Sequence, residues 1–455
     1  MNLLRILTFS SSLIFSLFTS AQTSWKGTTS TSWSTSSNWT NGIPSASVDA
    51  IVGDANFTGT NQPAIGSSAS CKSLTIGGGV KASTLTVNRN LTVYGAVTIN
   101  SNGTLNHGGS TISLTGNWLK SGTYSASSNK STVIFSGVSQ TLGGTSSTTF
   151  RKLTINSGST VTLAQNVTVS GTQSRFTVSG TVNPGESPTY LVTAASITVN
   201  SGGIIHVKAS TFGGNYSSTP TLNAGSTVEY SSSTNAQTIL NSITYSTLNT
   251  SGTTSKTLAG NLNTLLSSSS SVGNINVNGG TLDLSSFTAN RGTSVTGGNF
   301  VLASGTTLKI GGTATFPTNY NNVSLSLGST VEYYGTNQTI GAVTYGNLNL
   351  IAGSGSVTKT MPATVFSVLG NLTASLSSGT SLAFTAANNF NVGGNFTLNT
   401  STTYNGGSFT TTLGGNLINA GTYNGGTGTT LLNGPGKTIS GAGTYNFNNL
   451  TITDA

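Results

Sequence analysis

Apolar and polar residues alternate along this chain in short bursts. Leu74-Thr75-Ile76, Leu85-Thr86-Val87, Leu91-Thr92-Val93, Val97-Thr98-Ile99 and Ile112-Ser113-Leu114 each set two apolar side chains around one hydroxyl. The pattern continues at Val161-Thr162-Leu163, Val167-Thr168-Val169, Phe176-Thr177-Val178 and Ile197-Thr198-Val199. Such alternation predicts half-buried strands, with the flanking residues inward and the middle Thr in water. The β-branched residues that fill these positions suit a pleated surface. The triplets at Leu85, Leu91 and Val97 begin six residues apart, so corners such as Asn88-Arg89-Asn90 are as short as the strands. Sandwich strands usually run about 5–6 residues. Three-residue strands between equally short corners instead predict the sides of a coiled parallel solenoid. After the first 21 residues no stretch holds helical spacing.

A longer period lies over the short one. Gln140-Thr141-Leu142 returns as Gln237-Thr238-Ile239, Gln338-Thr339-Ile340 and Lys437-Thr438-Ile439, at intervals of 97, 101 and 99 residues. Upstream stand Thr132-Val133, Thr227-Val228-Glu229-Tyr230, Thr330-Val331-Glu332-Tyr333 and Thr430-Leu431. Downstream an aromatic (Phe150, Tyr245, Tyr345, Tyr445) precedes Leu153, Leu248, Leu348 and Leu450. Units that stack on copies of themselves build an elongated body. The fold expected is all-β: a parallel β-helix (β-solenoid) of ~100-residue super-repeats, with units near 116–170, 212–262, 316–372 and 415–455. Turns of roughly 20–25 residues give about 17–21 turns and a rod of about 80–100 Å. The rival, a string of sandwich domains, meets Gly-rich punctuation throughout each unit and no linker composition.

Corners carry Gly-Asn-apolar at Gly116-Asn117-Trp118, Gly260-Asn261-Leu262, Gly298-Asn299-Phe300, Gly370-Asn371-Leu372, Gly394-Asn395-Phe396 and Gly415-Asn416-Leu417. Positive φ at these residues is the expected use, with Asn amides pairing along the axis. Residues 22–70 read as a capping segment ahead of a solenoid over 71–455, because Trp25, Trp33 and Trp39 cluster there. Solenoid ends expose core and strand edges, and large aromatics make good lids. A sugar-stacking platform is the other use of flat aromatic faces. No second Trp-rich lid follows Leu450-Thr451-Ile452, so the C-terminal end is expected to be uncapped.

Composition narrows the function. Only 5% of the residues are charged, against about 25% in a usual soluble domain. The net charge is +9, spread thinly with Arg151-Lys152 as the one adjacent pair, and no nucleic-acid partner is expected without a basic, aromatic-rich face. Met1 to Ala21 reads as a secretory signal: Arg5, an apolar run from Ile6 to Phe18, then Thr19 and Ala21 at the cleavage positions. No later segment has the roughly 20 apolar residues of a membrane span. The lone Cys71 rules out an internal disulfide framework and is expected to be a small buried thiol.

The seven acids are Asp49, Asp54, Glu186, Glu229, Asp283, Glu332 and Asp454. Acid–base work on polysaccharides needs carboxylates brought together. Glu229 and Glu332 hold equivalent repeat positions and are expected about 20 Å apart, four or five turns from each other. His107 and His206 read as solvent-side residues, and no spacing fits a metal site. No catalytic residue, cofactor or metal is therefore expected.

The Trp25-to-Pro44 opening, Gly-Asn-Trp, Gly-Thr-Tyr, Gln-Thr-Ile and Leu-Thr-Ile together resemble large secreted surface proteins of Bacteroidota with adhesin- or autotransporter-passenger-like parallel β-helices. The resemblance covers nearly the whole chain after the leader. It implies export and surface display, often through a C-terminal sorting domain for type IX secretion, which is not read in this chain. The expected function is a secreted or cell-surface structural or adhesin-like rod, not an enzyme, meeting surface glycans or other cells. The alternative is a carbohydrate-binding passenger region of a larger polysaccharide-acting protein, with Tyr230, Tyr333 and Tyr334 as an exposed aromatic row. A third reading is ice binding, from the paired hydroxyls of Thr84-Leu85-Thr86 and Thr160-Val161-Thr162.

Overall fold

A computed structural model describes residues 21–262, 273–292 and 297–453. Strands of two to six residues stack in parallel into a β-solenoid of about 18 turns. The leader expected over 1–21 lies outside the described residues except for Ala21. The turn length varies from 17 residues, between paired Thr330 and Asn347, to 27, between Thr247 and Asn274.

The first turns have three sides. One runs through 97–99, 103–107 and 111–114, and the next through 118–120, 123–126 and 132–135. The first side is a 14-stranded sheet reaching from 22–24 to 322–325. The second side is a four-stranded sheet followed by a three-stranded one, and the third has eight strands, from 69–71 to 221–222. From 237–239 onward a 10-stranded sheet runs beside the long one, alternating with its strands as far as 322–325, and two six-stranded sheets complete the last turns.

The triplets behave as their alternation requires. In 74–76, 91–93 and 97–99 both flanking apolar residues are buried and the central Thr is half-buried. Each fully buried Val, Leu or Ile contributes about 1.5–3 kcal/mol relative to exposure, so the continuous bore is the main source of stability. Aromatics also stack inside it: the rings of Phe366 and Phe390 lie 5.2 Å apart at 12°.

The super-repeat does not keep step with the winding. Its leading strand falls in the eight-stranded sheet at 132–135, in the 14-stranded sheet at 227–230 and in the 10-stranded sheet at 330–333. A period near 99 residues is four turns and a fraction, so equivalent residues return on different sides. Glu229 and Glu332 thus sit in different sheets as well as on different turns.

The Gly-Asn corners need glycine for a different reason from the one expected. Of the six glycines, only Gly298 has a positive φ, at 72°. The others lie against the preceding turn: a Cβ on Gly116 would fall 2.4 Å from the carbonyl carbon of Gly95, and one on Gly415 would fall 2.4 Å from that of Gly394. The asparagines then bond axially. Asn347, Asn371 and Asn395 each accept, through Oδ1, the backbone N–H of Asn371, Asn395 and Asn416 respectively, at 2.8–2.9 Å. Amide-to-amide pairs occur elsewhere, as from Asn276 to Asn249 at 2.9 Å.

At the N-terminal end, 22–24 pairs with 49–51. The segment between them folds over the bore, and Trp25, Trp33 and Trp39 are 0, 3 and 2% exposed. Trp39 meets both neighbours edge-on, at 5.1 and 4.7 Å. Its Nε1 donates to the Trp33 carbonyl at 2.8 Å, and a bridge between Trp25 and Trp39 runs antiparallel. Strands at 49–52, 64–65 and 69–71 already form a turn, so the lid is shorter than the 22–70 expected. At the other end, Leu450 and Ile452 in strand 449–453 are 41 and 64% exposed.

Trp39→Ala should cost about 3–5 kcal/mol, as other buried aromatic truncations do. Hydrogen exchange should then show 22–24 and 49–52 losing protection before any later turn. Val80→Ser, at a 98% exposed position, should change stability by less than about 0.5 kcal/mol.

Candidate functional site

The repeated residues that attract attention in the sequence sit inside the rod and hold one turn to the next. Gln140, Gln237 and Gln338 are each 2% exposed. Gln338 Oε1 accepts the Gly335 N–H at 2.9 Å, while its Nε2 donates to the carbonyls of Ile310 at 3.1 Å and Ala314 at 2.9 Å. Gln237 does the same with Ser232 N–H and the carbonyls of Val207 and Ala209. Gln140 does it with Gly137 N–H and the carbonyls of Leu114 and Gly116. Each side-chain amide thus joins a corner to the corner of the turn before, satisfying one N–H and one carbonyl that no backbone partner reaches, and sharing a second carbonyl with a backbone N–H of the next turn.

Lysines complete two of these corners. Fully buried Lys359 donates to the carbonyls of Gly335 and Thr336 and to Gln338 Oε1. Fully buried Lys256 donates to the carbonyls of Ser232 and Thr254. Burial pushes both ammonium groups down to about 8.

The expected aromatic row is not on the surface. Tyr230 and Tyr333 are wholly buried, and only half-buried Tyr334 reaches outward, its hydroxyl donating to Asp283 at 2.9 Å. Tyr230 and Tyr333 alternate with Val228 and Val331 on one side of their strands, and that side is the bore. Tyr333 accepts Gly341 N–H at 3.0 Å and pairs with the Tyr345 hydroxyl at 3.0 Å, and Tyr345 donates back to the Gly341 carbonyl at 2.6 Å. Tyr230, Tyr245 and Leu240 form the same chain. In the first unit buried Phe135 and Phe150 take the two ring positions. Burial pushes the Tyr230 and Tyr333 phenols up to about 12, against the lowering effect of their hydrogen bonds.

The described acids serve separate partners. Asp49 lies 4.0 Å from Lys72 and Glu332 2.8 Å from Lys309. Asp54 accepts from Ser24 at 2.6 Å, and Glu229 from Ser251 at 2.5 Å. Glu186 ties three turns together: Oε2 meets Lys208 at 3.1 Å, and Oε1 accepts from Ser232 Oγ at 2.8 Å and the N–H groups of Ser233 and Thr234 at 2.5 and 3.0 Å. Burial alone would raise this carboxyl, but those hydrogen bonds outweigh it and hold it at about 2. Among the described residues no three of His, Cys, Asp and Glu come together as a metal site would need.

His107 is buried, not on the solvent side as expected. It shares the inward face of 103–107 with Leu105. Its Nε2 donates to the Ser110 carbonyl at 2.9 Å, so Nδ1 accepts from Tyr124 at 2.9 Å, and burial pushes it down to about 4. His206 points outward, half-buried, 3.0 Å from Ser231 Oγ. Cys71 is the buried thiol expected, with burial pushing it up to about 12.

The paired hydroxyls form no long ladder. Thr84 is continued by Thr104 and Thr123, but Thr86 by Asn106 and Ser125. Thr160-x-Thr162 lies between Ser139-x-Thr141 and Thr181-x-Asn183. Comparison of the chain with protein families, curated proteins and solved structures finds no match in any of the three. Among the described residues no helix is long and apolar enough to cross a membrane.

Gln338→Ala strands the buried Gly335 N–H and the Ala314 carbonyl, and should cost about 2–3 kcal/mol in chemical denaturation. Tyr333→Phe, a change the first unit makes only together with Phe150, leaves the Gly341 N–H without its partner and should cost about 1–3 kcal/mol. Glu186 carries a pH signature. Its folded carboxyl titrates near 2, against about 4.3 unfolded, so the folded state binds fewer protons between those values. Its stabilisation is complete above about pH 4.3 and is lost as the pH falls towards 2. The melting-temperature gap between the wild type and Glu186→Gln should therefore be widest near neutral pH and close by the acid end of that window.

Proposed function

We propose that this chain is a secreted or cell-surface rod with a structural or adhesin-like role and no catalytic activity of its own. The observation that carries the reading is the use made of the recurring polar residues. Gln140, Gln237 and Gln338 join successive turns inside the bore, and Tyr230 and Tyr333 tie facing parts of a single turn across it. The repeat therefore specifies length and stiffness. The described carboxylates support the same reading, since each is engaged with a different partner on a different turn. A neutral hydroxyl and amide surface with 5% charged residues suits an exposed, protease-facing rod. The carbohydrate reading loses the aromatic row on which it rested, because two of the three rings are inside.

Protease treatment of intact producing cells should remove the chain while leaving cytoplasmic proteins whole. A strain lacking it should attach several-fold less to glycan-coated surfaces or to other cells, at an unchanged growth rate. Protection of the chain in intact cells, or unaltered attachment, would refute the proposal.

A further inference from the structure

The winding gathers charges that are far apart in the sequence. Residues 55–185 contain eight Lys or Arg and no Asp or Glu. Five of the eight lie along one corner, where the chain passes from the second side to the third: Arg89, Lys130, Arg151, Lys152 and Arg175. They span five successive turns, about 19 Å at the usual strand spacing. Arg89, Lys130 and Arg175 are exposed, and Arg151 and Lys152 half-buried. Lys152 and Arg175 are direct partners on neighbouring strands, a like-charge arrangement that destabilises a sheet unless something neutralises it. None of the five forms an ion pair among the described residues.

The same corner is hollow. A depression of about 260 Å³ is lined by Ser125, Thr149, Arg151 and Gly171 among others, and it adjoins one of about 440 Å³ that reaches Thr193. The two share Ser170 and Gly171 and together form a trough along the rod axis. The Arg151 guanidinium lies on Gly171, where a Cβ would stand 1.5 Å from Nη1, and its buried Nε has no hydrogen-bond partner. Exposed Ser125, Thr149, Ser170 and Thr193 supply hydroxyls down the trough.

We propose that this trough, lined by Arg151 and bordered along the same corner by Lys130, Lys152 and Arg175, binds an acidic polysaccharide, whose carboxylate or sulfate groups meet those four cations. A glycan chain suits the trough because it is linear, anionic and hydroxyl-rich. Single-stranded nucleic acid would call for stacking aromatics, and the two rings here, Tyr124 and Phe150, are 8 and 0% exposed. The inference goes beyond the rod reading and does not depend on it, since the trough would bind in a freely soluble rod as well.

The test uses the full chain, with oligogalacturonate and a sulfated glycosaminoglycan oligosaccharide as probes, and neutral dextran and single-stranded DNA beside them. One acidic glycan at least should bind at low salt, weaken as salt rises, and bind at least about tenfold more weakly to Lys130→Gln/Arg175→Gln, the change expected for a lost charge-assisted contact. Lys26→Gln/Lys437→Gln removes the same charge elsewhere and should leave the affinity unaltered. Arg151→Gln should weaken binding as well, with thermal melts of every variant confirming the fold. No binding of either acidic probe, an equal loss in the two double variants, or tighter binding of DNA than of the glycans would each overturn the proposal. Unaltered attachment by cells lacking the chain, with glycan binding by the purified chain intact, would count against the rod reading alone.

Discussion

Among the described residues every strand of the stack bonds the strand one turn away, in parallel register. A sheet built that way tolerates no turn that leaves its N–H and C=O groups unmet. Strands meet the requirement automatically, because their partners lie directly above and below. Corners do not, and they recur on every turn. The sequence solves the corners locally, with Gln140, Gln237 and Gln338 reaching between consecutive bends. Asparagines from Asn347 to Asn416 accept the N–H of the following turn. The conspicuous repeat is the set of side chains that this constraint selects.

The same logic explains which substitutions between units are tolerated. A Tyr pair with a shared hydroxyl chain in the second and third units becomes Phe135 and Phe150 in the first, because two apolar rings leave no polar atom stranded. In the fourth unit Thr430 and Leu432 hold the buried strand positions, and Tyr445 still donates to the Ser440 carbonyl. The described carboxylates are drawn into similar work, most clearly Glu186, which receives hydrogen bonds from three consecutive residues two turns away. Polar chemistry in this chain is mostly architectural.

Much of this was legible beforehand. The apolar–polar–apolar triplets, the short corners and the three tryptophans led directly to a capped parallel solenoid, since local alternation decides which side of a strand is buried. The alternation also contained the signal that was missed. Tyr230 stands two residues from Val228, and His107 two from Leu105, so each had to share the buried side of its neighbour. Reading the tyrosines and the histidine as surface residues weighed residue type over position. The basic corner was less accessible. Arg89, Lys130, Arg151 and Arg175 come together only when each turn's length is known to within a residue or two, and turns run from 17 to 27 residues. The close-stacked corner glycines were likewise hidden, because a conformational need and a spatial one call for the same residue.

The fractional step between repeat and winding has a consequence for how such a rod grows. A duplicated block of about a hundred residues need not be a whole number of circuits to fit. Its strands meet branched apolar side chains above and below at whatever rotation it enters, and its own corner amides travel with it. Gene duplication can therefore lengthen the molecule without re-engineering a joint. Whatever a block shows to the outside, the next block presents at a new compass bearing.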